Sequence, residues 1–110
     1  MRVKRTRAAR YALVVPVILT DLETGHQTQG NTWDVSAFGC QVMTGNGTQI
    51  GARVRIQINH KGDVFEAQGL VVNMRPLMGA GVAFKKIEDN HRMVLEKWLE
   101  ELRSQKSEKQ

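Results

Sequence analysis

The chain has little of what builds metal centres, cross-links or membrane spans. It carries one cysteine, Cys40, in 110 residues, which excludes an internal disulfide and a cysteine-based zinc site. His26, His60 and His91 stand apart with no paired metal-ligand spacing, so no metal site is expected and each reads as a surface or turn residue. Cys40 reads as a small apolar residue on an inward strand position. The longest apolar run, Ala12 to Leu19, is interrupted by Pro16 and is far too short to span a bilayer. It follows basic residues as a secretory signal would. It is nevertheless β-branched, lacks a small-residue cleavage site and passes directly into polar sequence, so it reads as a strand and the chain as cytoplasmic. Aromatic residues make up only 5% and fall mostly at expected core positions, which leaves few stacking platforms for a nucleic acid. No Ser/His/Asp, Cys/His or paired-carboxylate set can be assembled, and an enzyme is not expected.

What the chain does have is an ordinary globular composition, 41% apolar and 25% charged, in a length that fits one domain. A chain of this size buries roughly two thirds of its unfolded surface, enough for one core without staples. The formal charge of +5 is unevenly placed: Arg2, Lys4, Arg5, Arg7 and Arg10 fall in the first ten residues with no acid among them. Residues 1–10 therefore read as a flexible basic arm. It is either a solvated terminus or an anion-binding segment for phosphates, nucleic acid or an acidic protein surface.

From Tyr11 the pattern is that of strands. In "YALVVPVILT", Tyr11, Leu13, Val15, Val17 and Leu19 share one face of an extended chain, and Pro16 calls for an edge, a bulge or a non-bonded position. "DLETGHQ" reads as a hairpin turn and "QTQGNTWDVS" as the returning strand. "FGCQVMT" follows as a third strand with Phe38, Cys40 and Val42 on a common face. "ARVRIQIN" alternates most clearly, with Ala52, Val54, Ile56 and Ile58 inward. After the turn "HKGD" comes a long strand in which Gly69 marks a bulge; Pro76 to Gly81 reads as a Gly-rich loop, and "GVAFKKI" as the last strand. Short strands at even spacing predict a mainly β fold, a six-stranded antiparallel barrel.

The period changes at the end. With Asp89 as N-cap, Val94, Leu95, Trp98, Leu99 and Leu102 form one stripe of a helix over about 89–104, predicted to pack on the barrel. Residues 11–104 then form the domain and 105–110 a frayed tail.

The polar signal lies in "DVSAFG", Asp34-x-Ser36-x-x-Gly39. In an extended segment Asp34 and Ser36 point to the same side, so a carboxylate and a hydroxyl can converge on one polar ligand edge. Gly39 would permit a positive φ or close approach of a ligand. An Asx-turn with Ser36 satisfying backbone groups would produce the same letters.

A six-stranded barrel, a C-terminal helix, an Arg-rich segment before the first strand and D-x-S-x-x-G entering the third strand together resemble the PilZ domain family. The resemblance runs from about Arg5 to about Leu102 and takes in "GARVRIQI" and "GAGVAF". It implies binding of bis-(3′-5′)-cyclic dimeric GMP (cyclic di-GMP), a bacterial second messenger, through an N-terminal R-x-x-x-R motif and the D/N-x-S-x-x-G motif. Carried over, Asp34 would accept from a guanine Watson–Crick edge, Ser36 would add a hydroxyl contact and Gly39 would shape the turn. Arg10 fits the second arginine. The position four residues earlier is Thr6, flanked by Arg5 and Arg7, one of which must be re-aimed to join the ligand. The leading expectation is a cyclic di-GMP receptor that signals to a separate downstream protein by ordering its arm. The alternatives are a PilZ-like protein–protein adaptor that binds no cyclic di-GMP and, third, a small basic barrel binding nucleic acid.

Overall fold

The structure, a computed structural model of the chain, describes residues 9–44 and 48–108. Arg5 and Arg7 lie outside the described residues. The elements are β1 (Tyr11–Ala12), β2 (Pro16–Asp21), β3 (Gln27–Val35), β4 (Gly39–Thr44), β5 (Arg53–His60), β6 (Asp63–Arg75), β7 (Gly79–Lys86) and α1 (Asp89–Glu108). All pairings are antiparallel, in the order β3-β2-β5-β6-β7-β4, and β4 returns to β3 and closes the barrel. The six-stranded barrel with a C-terminal helix expected from the alternation is therefore what forms.

The first strand differs from expectation by being split. β1 and β2 lie end to end along β3, with Ala12 opposite Asp34 and Pro16 opposite Asn31. Residues 13–15 bulge between them, because Pro16 has no N–H to offer a ladder. The buried Thr32 fills the gap: its hydroxyl donates to the Leu13 carbonyl and accepts the Val15 N–H at 3.1 Å.

Inward residues of β2, β5 and β6, among them Val17, Leu19, Ile56, Ile58, Phe65 and Val71, fill the interior at 2% exposure or less. The alternation of β5 holds throughout, and the β6 bulge at Gln68/Gly69 is where Gly69 predicted it. The β6–β7 connection is tighter than expected. Only Pro76, Leu77 and Met78 lie outside strands, since Gly79 already pairs with Arg75. The turn has Pro76 at its second position, Leu77 at φ 67° and the Met78 N–H donating to the Arg75 carbonyl at 3.0 Å, the pattern of a type II turn. Leu77 is 96% exposed.

The helix stripe is as the spacing predicts: Leu95 and Trp98 are buried and Val94, Leu99 and Leu102 half-buried. Trp98 packs near Phe65, with ring centroids 6.3 Å apart, and takes His60 edge-on at 5.3 Å. Asp63–Lys97 at 3.3 Å and Lys61–Glu101 at 3.8 Å tie the β5–β6 turn to α1, so the helix lies across that end of the barrel. His91 Nδ1 accepts the Glu66 N–H at 3.1 Å. The first helical bond runs from the Arg92 N–H to the Glu88 carbonyl, which makes Glu88 the N-cap and puts Asp89 in the first turn, where its charge still suits the helix dipole. The helix also continues to Glu108, past the expected end at 104.

Candidate functional site

The site grows out of a bulge. Thr32 is buried and faces inward, so regular alternation would turn Asp34 inward as well. The β3–β4 register instead passes from Thr32↔Val42 to Asp34↔Gln41, leaving Trp33 as the extra residue. The bulge changes the phase of the strand: Val35 enters the core and Asp34 faces out. Nothing in the local sequence signals this bulge, since Trp33 carries none of the glycine or proline that would mark one.

Asp34 then meets two donors at one oxygen. Arg10 Nη2 lies 2.5 Å from Asp34 Oδ1, and the Gln41 backbone N–H donates to the same oxygen at 3.2 Å. The side chains of Arg10 and Asp34 are 49% and 23% exposed, so the pair sits at the surface and remains open to a competing ligand. Arg10 reaches Asp34 because β1 lies beside β3 with Ala12 opposite Asp34, which brings the end of the basic segment to the motif.

Ser36 is 3% exposed, and its hydroxyl is committed to the turn. It accepts the Phe38 N–H at 3.2 Å and donates to the Gly39 carbonyl at 3.2 Å, while the Ser36 N–H donates to that same carbonyl at 2.8 Å. In the structure Asp34 and Ser36 therefore do not converge with free polar atoms on one edge; Ser36 builds the turn that follows Asp34. Gly39 is not among the glycines with positive φ. Its constraint is space, because a Cβ there would stand 2.4 Å from the Val82 carbonyl oxygen across the β4–β7 ladder. Phe38, expected inward, is 67% exposed, since it sits in the turn before β4 begins. Cys40 is buried as expected, and desolvation, with the Asp34 charge adding to it, pushes its thiol pKa up to about 12. It is an inert part of the wall.

A cleft of about 500 Å³ opens beside the motif, lined on one side by Arg10, Trp33, Asp34 and Phe38 and on the other by Asn73, Arg75 and Met78. Its floor is one cross-strand row: Asp34 pairs with Gln41, Gln41 with Gly81, and Gly81 with Asn73. That row spans three inter-strand steps, about 14 Å at the usual spacing. Gly81 keeps the floor low, because a Cβ there would meet the Asn73 amide at 2.6 Å. Gln41 Nε2 donates to the Met78 carbonyl at 3.0 Å and fixes the β6–β7 turn at the far rim. Asn73 and Arg75 were not legible as site residues, because only the register of β6, β7 and β4 brings them to the motif.

Barrel and cleft together define a small closed-barrel binding module with a polar groove on its side. The chain belongs to the PilZ domain family, whose model matches residues 4–101. Its fold is similar to that of the PilZ domain of YcgR from Escherichia coli, solved with c-di-GMP, at 16% identity and a TM-score of 0.72, over 96% of this chain and 97% of that one. YcgR from Escherichia coli in complex with c-di-GMP matches at 19% identity and TM-score 0.75, over 97% of this chain and 50% of that one. The Bacillus subtilis inhibitor of motility MotI/DgrA matches at 18% and 0.71, over the whole of this chain and 55% of that one. The chain thus spans about half the length of the last two proteins. At these identities the likeness is one of fold. No curated protein sequence matches this one.

Proposed function

We propose that the chain is a cyclic di-GMP receptor. The observation that carries this reading is the junction of Arg10 and Asp34, at 2.5 Å, on the rim of a 500 Å³ cleft formed by the D-x-S-x-x-G turn of a PilZ barrel. A carboxylate matches the two donors of a guanine Watson–Crick edge, and an arginine fork matches its O6/N7 edge or a phosphate. Asp34 would take the guanine donors while Arg10 turns to the anionic part of the ligand. Ser36 and Gly39 act through the turn that holds Asp34 at the cleft, and Trp33, 45% exposed, offers an apolar face to a base. Arg5 and Arg7 would add their charge to the anionic part of the ligand, and a separate protein in the cytoplasm would read the bound state.

The adaptor reading draws on Thr6, which stands where R-x-x-x-R has its first arginine. Calorimetric titration of the protein with cyclic di-GMP, with GMP and GTP as controls, separates the two. A receptor gives saturable heat with cyclic di-GMP and a raised melting temperature, because a ligand at a hundred times its Kd stabilises the native state by about 2.7 kcal/mol. Absence of both at millimolar ligand leaves the adaptor.

A further inference from the structure

The cleft has a second wall that the family motifs do not include, and it holds a cation. Arg75, the last residue of β6, is exposed, lines the cleft, and has no ion-pair or side-chain hydrogen-bond partner among the described residues. Asn73, two residues earlier and on the same face of the strand, has a buried Oδ1 with no hydrogen-bond partner among the described residues. Buried acceptors are ordinarily satisfied, so an orphaned one beside an open groove points to a donor that arrives from outside. Among the described residues, Arg10 supplies the only other cation in the lining, and it is already engaged with Asp34.

We propose that Arg75 is a ligand-binding residue, which adds from the β6–β7 hairpin a cation beyond those of the N-terminal segment, and that Asn73 accepts a donor from the same half of the ligand. The inference rests on the receptor reading. A ligand with two guanines and two phosphates presents anionic and donor groups at both ends. The row from Asp34 to Asn73 separates the two walls by several strands, too far for one phosphate to bridge. The rigid floor of Gly81 and the Gln41 tether to Met78 hold the Arg75 wall in place, so this cation needs no chain ordering to act. In the family motif both arginines lie on one N-terminal segment; here one is Arg10, just ahead of β1, and the other ends β6.

The test is calorimetric titration with cyclic di-GMP of the native protein and of Arg75→Ala, Arg75→Lys and Arg10→Ala, with melting temperatures as the fold control. Arg75→Ala is expected to weaken binding about tenfold or more with an unchanged melting temperature, since its exposed side chain has no ion pair among the described residues. Arg75→Lys is expected to recover only part of the loss, because an ammonium cannot reproduce the planar fork. The Arg75 Nε–H resonance should shift on titration of the native protein. Unchanged affinity in Arg75→Ala, alongside weakened binding in Arg10→Ala, overturns the role of Arg75 and leaves the receptor reading standing. No binding by the native protein overturns both.

Discussion

Arg10 and Asp34 are paired at 2.5 Å, and the oxygen they share also accepts the Gln41 N–H. A ligand that takes the Asp34 carboxylate must therefore displace a guanidinium, which then becomes available to that ligand's own anionic groups. Binding and stability should part company at these positions. Arg10→Ala is expected to cost the fold no more than about 1 kcal/mol, as an exposed ion pair contributes little. Asp34→Ala should cost about 1–2 kcal/mol, since the Gln41 N–H also loses its acceptor. Each should weaken cyclic di-GMP binding tenfold or more, a loss of roughly 1.5–3 kcal/mol for a charge-assisted contact. Urea denaturation and calorimetry on the same preparations give both numbers.

Ser36 should behave in the opposite way. Its hydroxyl is buried and bonded within the turn, so Ser36→Ala is expected to lower stability by about 1–2 kcal/mol. Any loss of affinity should follow from a loosened Asp34. Cooling or a stabilising osmolyte should then restore binding in Ser36→Ala but not in Asp34→Ala, as read by titration at two temperatures.

Two glycines allow a clean comparison. Gly25, at φ 80°, has nothing within 4 Å of a Cβ position, so Gly25→Ala carries only the backbone cost of about 1 kcal/mol. Gly39→Ala forces a methyl onto the Val82 carbonyl, 2.4 Å away, and should cost more, up to about 3 kcal/mol. Equal melting temperatures for the two variants would contradict the close β4–β7 approach.

Acid should loosen the β2–β3 turn. Backbone N–H groups of Thr24 and Glu23 donate to Asp21, at 3.0 and 2.8 Å, and hold its pKa below the ordinary 3.8. A carboxyl with a depressed folded pKa adds stability above its unfolded value, and this is lost as pH falls through the folded one. An NMR titration should place the Asp21 midpoint below 3.8, with the Thr24 and Glu23 amides moving together at that pH.

The parts of the fold written in local periodicity were legible. Ile56 and Ile58 alternate with Arg55 and Gln57 because β5 has one face in the core, and Leu95 and Trp98 share a helix stripe for the same reason. Ser36 was legible as a turn residue, one of the two readings its letters allowed. Register was not. Trp33 became a bulge and Phe38 an exposed turn residue because of how β3 pairs with β4, and no window of ten residues encodes that pairing. Arg75 lies 41 positions from Asp34 in the chain, and it reaches the cleft only through β6, β7 and β4. Its lack of a partner is a property of the assembled surface.

The closed ladder also governs how this chain can meet copies of itself. A strand with an open backbone edge invites another chain to add on, the first step of fibrillar aggregation. Here the barrel is closed, so each long strand has a neighbour on either side over part of its length, and the outer edge of β1 is two residues long, too short to template growth. The opening stretch of β6, ahead of its pairing with β7, has its Glu66 N–H taken by His91 from α1. Self-association through strand addition is therefore suppressed by construction, and a concentrated solution of the native protein should remain free of cross-β material until α1 is pulled away.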